Sequence, residues 1–136
     1  KLEFSVQKTL FLLRKDLSID EIAKKRNIHA DTIWSHIENL IEHGQLSIWK
    51  ILPKKKIIKT LYCINSGSEE LKRIRERITD KGITYNEIAC IRAHLKMKER
   101  ISRRYKSLCY LIPAIGLFQV LAHKQVHLQL TLLSRN

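Results

Sequence analysis

The sequence has little of what closes a small fold covalently or cradles a phosphate. It holds three cysteines, Cys63, Cys90 and Cys109, with no CxxC or CxxxC pair among them. An odd, widely spaced set argues against both a structural zinc site and a disulfide framework. Reduced, partly buried thiols of a cytosolic protein are the simpler reading. Four glycines form no Gly-rich phosphate loop, and neither GxSxG nor HExxH occurs. The six histidines, His29, His36, His43, His94, His123 and His127, are scattered. His123 and His127 stand at i, i+4 but lack a third ligand. No nucleophile–base pair is evident, so the chain is expected to be non-catalytic, with no metal and no cofactor. Acid is also missing from residues 100–136, since all 13 acidic residues lie between Glu3 and Glu99.

What is present is cationic. The 136 residues carry 26 Lys and Arg against 13 acids, a net charge of +13. That excess points to a polyanionic partner, nucleic acid first and acidic membrane second. A hydrophobic content of 44% fits a globular chain long enough to bury a core. The charge pattern divides it into a domain at 1–99 and a basic, apolar tail at 100–136. In the tail, 108–122 is strongly apolar but broken by Pro113, Gly116 and Gln119. It is shorter than the ~20 residues a membrane helix needs, so packing on the domain or on a partner chain is expected, with no membrane partner. The missing acid also fits a tail read through from outside the selected domain. The chain starts at Lys1 without a visible signal peptide. It reads as a piece of a longer, cytoplasmic and nucleoid-associated protein.

Periodicity predicts an all-α or nearly all-α fold. A first helix at 4–15 places Val6, Leu10 and Leu13 on one face, flanked by Thr9 and Leu12. Ser18 and Glu21 form a capping box that opens a second helix at 19–26, with Ile22 and Ala23 inward. Asn27 suits a left-handed helix stop. A third helix at 30–43 aligns Ile33, Ile37, Leu40 and Ile41, and Gly44 stops it. Residues 46–52 read as a short strand or an irregular packed segment. Pro53 opens a helix at 54–65 with Ile57, Ile58, Leu61, Tyr62 and Ile64 inward. Ser66 to Glu69 gives a capping signal for a helix at 69–78, carrying Leu71, Ile74 and Ile78. Thr84 and Glu87 give another, for a helix from 85 to at least 98, carrying Ile88, Ile91 and Leu95. The whole reads as a helix-turn-helix, winged-helix-like unit followed by further short helices.

The helix-turn-helix carries the candidate site. Such a unit lays one helix across the phosphate backbone and a second in the major groove. Thr32, Ser35 and Asn39 on the third helix can bond phosphates or bases, and His36 can contact phosphate. Lys24, Lys25 and Arg26 flank the turn as phosphate contacts. The third helix has no Lys or Arg, and it has Asp31, Glu38 and Glu42. That favours backbone or structure-directed contact over base readout, because phosphate neutralisation supplies much of the affinity. Lys54, Lys55 and Lys56, with Lys59, form a basic cluster at a helix start, where positive charge opposes the helix dipole and phosphate would offset that cost. Lys72, Arg73, Arg75 and Arg77, with Arg92, Lys96, Lys98, Arg100, Arg103 and Arg104, compose a second basic set. Trp34 and Trp49 are read as packing residues.

Two stretches, Leu17-Ser18-Ile19-Asp20-Glu21-Ile22-Ala23 and Thr32-Ile33-Trp34-Ser35-His36-Ile37, are similar to the two-helix core of LuxR-type response-regulator domains. Over more of the chain, about 4–98, the sequence resembles the helix-turn-helix domain at the C-terminal end of bacterial RecQ-like and Pif1-like DNA helicases. Thr9-Leu10-Phe11-Leu12-Leu13 and residues 41–46, 71–78 and 83–96 carry that likeness. Asn27 stands where that family usually has a turn glycine, and His29 where serine is common as the cap. The resemblance implies a non-catalytic accessory domain whose ATPase motor lies N-terminal to Lys1. Its partners would be DNA (single-stranded, duplex or forked) and the helicase motor. A protein-docking module and a stand-alone transcription regulator are the alternatives.

Overall fold

The structure is a computed structural model that describes residues 3–111, with side chains through residue 105. Six α-helices follow one another: α1 (Phe4–Leu13), α2 (Ile19–Arg26), α3 (Ala30–Glu42), α4 (Lys54–Leu61), α5 (Leu71–Arg77) and α6 (Tyr85–Leu111). No strand occurs among the described residues. Contacts group the chain into two units, Lys1–Arg100 and Ile101–Asn136. The tail segment 108–122, apart from the α6 backbone through Leu111, and the His123 and His127 pair lie outside the described residues.

Local chemistry sets the helix ends. The Ser18 N–H donates to Glu21 Oε2 at 2.7 Å, and the Glu21 N–H donates to Ser18 Oγ at 3.3 Å. This reciprocal box satisfies two N–H groups that a helix start leaves open. Those contacts, the Ser18 hydroxyl first, hold the Glu21 carboxyl below the usual carboxylate range. Acid in the first turn of α2 (Asp20, Glu21) and base in the last (Lys24, Lys25, Arg26) also suit its dipole. Asn27 then turns left-handed, at φ 52° and ψ 50°, and the Ile28 N–H returns to the Ala23 carbonyl at 3.1 Å. Gly44 repeats the device after α3. Its φ is +71°, and the Gln45 N–H reaches the Leu40 carbonyl at 2.8 Å. Both are Schellman-type closures, in which one left-handed residue lets the chain reverse sharply.

Packing follows the apolar stripes. Ile33, Ile37, Leu40 and Ile41 of α3 are all fully buried. At roughly 1.5–3 kcal/mol per buried aliphatic side chain, this one stripe outweighs the weak N-terminus of α3, where His29 makes no side-chain cap. Val6 and Leu10 of α1 pack on Leu40, while Ile22 joins Ile33, Ile37 and Ile41 in the main core. That core continues through Ile48, Leu52, Ile57, Ile64, Ile74, Ile83, Ile88 and Ile91. The later helices therefore complete the same interior as the helix-turn-helix.

Several expectations need correction. Of the two readings of residues 46–52, the irregular packed segment holds: a single 3₁₀ turn, Ile48–Lys50, buries Ile48. The fourth helix ends at Leu61, and Tyr62 is 88% exposed rather than inward. The signal from Ser66 to Glu69 makes no capping box. Glu69 accepts instead from the Asn65 N–H at 2.9 Å and pairs with Arg77 at 2.6 Å, so α5 begins only at Leu71. The Thr84 and Glu87 box does form, with its reciprocal bonds at 2.8 and 3.3 Å. Gly67 explains why that loop is tight. A Cβ there would sit 2.5 Å from the Lys96 Cα of α6, and the Gly67 N–H donates to Glu99 at 3.0 Å.

Candidate nucleic-acid interface

The sequence-predicted residues separate into two groups. Thr32, Ser35 and Asn39 are exposed on α3, and Lys24 and Lys25 are exposed at the end of α2 beside the turn. These five are brought to the helix-turn-helix surface. Arg26 and His36 are half-buried and face each other across the interior edge of the same unit. Arg26 donates to Thr9 Oγ1 and, through Nη2, to Ser5 Oγ at 2.8 Å. Its Nη1 also lies 3.3 Å from His36 Nδ1, and Thr9 Oγ1 lies 2.8 Å from the same nitrogen. A guanidinium only donates, so Nδ1 is the accepting nitrogen and the imidazole proton sits on Nε2. Burial first, and then the Arg26 charge, push His36 below its ordinary pKa. This network locks α1, α2 and α3 together, and the Arg26 guanidinium is engaged in it.

The acids on α3 are the second finding. Glu38 pairs with Arg92 at 3.2 Å, and Glu42 pairs with Lys96 at 2.7 Å. Arg100 adds a donor to the Glu42 carbonyl at 2.6 Å, and Asn86 donates to Asp31 at 2.8 Å. The carboxylates stand at i, i+7 and i+11 on α3, and their partners Asn86, Arg92 and Lys96 run along α6. Glu38 and Glu42 are thus paired with cations of α6, and Asp31 is hydrogen-bonded there; Ser35 borders this acidic row, while Thr32 and Asn39 stand further round the helix. For the same reason Arg92, Lys96 and Arg100 do not form a free basic face with the other late cations. Arg75 and Arg77 are also engaged, with the Ile83 carbonyl at 2.7 Å and with Glu69.

The lysine cluster at α4 is divided too. Lys54 and Lys55 are exposed, while Lys56 donates to Glu87 at 2.8 Å and to the Gly82 carbonyl at 2.9 Å. Glu87 neighbours Asn86, the partner of Asp31. One turn of α6 therefore ties down the N-terminal ends of both α3 and α4. Trp34 is half-buried against the core, and Trp49 stacks edge-on with His94 at a centroid distance of 6.1 Å. Burial and then the Lys98 charge lower the His94 pKa. Cys90 is buried and its thiol is pushed up to about 12, which keeps it protonated and unreactive. The sequence reading missed the internal network; Thr9, a polar residue on the buried stripe of α1, was its signal.

A tri-helical core with a capped α2, a left-handed turn and an amphipathic α3 defines a helix-turn-helix protein. Residues 5–92 match the helix-turn-helix domain family, and the chain belongs to it. No curated protein and no solved structure matches the chain. Helix-turn-helix domains are in general nucleic-acid-binding units. The match covers α1 through the first part of α6, including the α6 turn that holds Asp31 and Lys56. Among the described residues no helix is long and apolar enough to cross a membrane.

Proposed function

We propose that this chain is a non-catalytic DNA-binding module that grips duplex or forked DNA chiefly through its phosphates, as an accessory domain of a helicase. The observation that carries the DNA reading is the division of charge on α3. Glu38 and Glu42 are paired with α6, while Thr32, Ser35 and Asn39 stay exposed, as do Lys24 and Lys25 at the end of α2. The outward face offers short hydroxyl and amide donors and no guanidinium. That chemistry suits phosphate and sugar contacts better than bidentate reading of guanine. Lys54 and Lys55 extend the grip from the start of α4. The helicase setting is supported by the resemblance over 4–98 to the C-terminal domains of RecQ-like and Pif1-like helicases. The second half of that likeness, in α5 and α6, packs into the same core as the first.

Binding of labelled duplex, forked and single-stranded DNA across a salt series tests the reading. Phosphate contacts give a steep fall of log affinity with log salt, at about 0.9 per neutralised phosphate on duplex. Lys24→Gln with Lys25→Gln reduces that slope by about 1 to 2 on the same scale. No duplex or forked binding at low salt overturns the DNA reading and leaves protein docking in its place. A slope that responds only to Lys54→Gln and Lys55→Gln makes the helix-turn-helix a scaffold.

A further inference from the structure

The outward face of α1 carries two exposed phenyl rings. Phe4 is 81% exposed and Phe11 is 57% exposed. They stand at i and i+7, directly opposite the buried stripe of Val6, Thr9 and Leu10. Lys8 lies between them at i+4, and Lys15, in the turn after α1, brings its Nζ to 4.4 Å from the centre of the Phe11 ring. The face therefore alternates ring, cation, ring, cation over a rise of roughly 15 Å. α1 itself contains no acid. The nearest acids in sequence lie outside the helix: Glu3 precedes it, and Asp16 follows it, beside the groove lined by Leu10, Leu13 and Leu17.

We propose that the Phe4, Lys8, Phe11 and Lys15 face is a second nucleic-acid site, one that takes single strands by stacking unpaired bases on the two phenyl rings. Charge selects this occupant. An apolar partner, a second copy of the same face included, would trap Lys8 between two rings with no carboxylate to pair it, which is costly. A single strand offers flat bases for the rings and phosphates for the ammonium groups in one polymer, and base-on-aromatic stacking tolerates any sequence. Base-paired DNA keeps its bases inside the stack and gains nothing from the rings. The proposal takes its polymer from the DNA reading above but not its surface, since α1's outer face is separate from Lys24, Lys25 and the exposed residues of α3. A module with both sites holds a duplex and an emerging strand together, as at a fork.

The test uses the full chain and two labelled probes, an oligothymidylate of 20 nucleotides and a 20-base-pair duplex. Phe4→Ala with Phe11→Ala weakens oligothymidylate binding by roughly tenfold or more and leaves the duplex within about twofold. Phe4→Trp with Phe11→Trp retains single-strand affinity, while Phe4→Leu with Phe11→Leu, equally apolar, does not. Both rings are exposed, so the melting temperature should hold in all three variants. Lys24→Gln with Lys25→Gln has the opposite pattern, so failure of the helix-turn-helix reading and failure of this one are told apart. Wild-type-like single-strand binding by the leucine variant overturns the proposal, as does equal loss on both probes or no oligothymidylate binding at low salt. It is equally overturned if the rings prove to matter only for binding phosphatidylserine vesicles, or only for self-association in sedimentation.

Discussion

His36 shows how a single residue can tie its own unit together. It stands on the third helix where a phosphate contact was expected, yet its Nδ1 faces Arg26 and Thr9 as an acceptor. Burial first, and then the Arg26 charge beside it, disfavour the protonated ring, and the folded pKa is lowered from its ordinary 6.5. A lowered histidine pKa means that the unfolded chain binds more protons than the folded one in the window below about 6.5. Stability is complete above that window and is lost as pH falls through it; His94, also lowered by burial, acts in the same direction. Urea midpoints measured from pH 8 to pH 5 should fall on the acid side. His36→Asn, which keeps an acceptor near the Nδ1 position but does not titrate, should flatten part of that fall. An unchanged slope in the variant would remove His36 as a source.

At the scale of elements, close approach decides more than propensity. Gly67 lies under α6 with no room for a methyl group, because the nearest atoms are the Lys96 backbone rather than a movable side-chain tip. Gly67→Ala should lower stability by about 1–3 kcal/mol through overpacking, read as a drop in melting temperature. Gly44→Ala is the useful contrast. Nothing crowds a Cβ there, so its cost, about 1–2 kcal/mol, comes from the left-handed φ alone. The α2–turn–α3 unit was legible in the sequence because every signal in it is local: Ser18 with Glu21, Asn27, the four-residue apolar stripe and Gly44. Where a long-range partner competed, local signals misled. Glu69 had the spacing of a cap but was taken by Arg77, and the start of α5 moved to Leu71. Tyr62 continued an apolar pattern but falls just after α4 ends, and points to solvent. Arg26 looked like a surface cation because nothing nearby in sequence revealed Ser5 and Thr9 as its partners.

Across the whole molecule, the cationic excess is distributed rather than simply displayed. Arg92 and Lys96 offset Glu38 and Glu42 of α3, while Lys24 and Lys25 stay exposed at the end of α2. Arg92 can act on DNA affinity in two ways, by direct contact with phosphate or by cancelling Glu38. Arg92→Gln alone leaves Glu38 uncompensated on α3, next to Ser35 and Asn39 of the proposed DNA-binding surface. A unit charge about 10 Å from a phosphate in water is worth about 0.4 kcal/mol, so the loss, summed over neighbouring phosphates, should be a few-fold in duplex affinity at low salt. Adding Glu38→Gln restores the local net charge and should return the affinity to within about twofold of the parent if cancellation is the mechanism. If Arg92 touches DNA itself, the double variant stays as weak as the single one. The salt series distinguishes the two again, because losing a true phosphate contact lowers the slope by about 1, whereas losing only the cancelling charge leaves it close to that of the parent. Affinity restored with an unchanged slope would establish α6 as the element that makes an acidic recognition helix compatible with DNA.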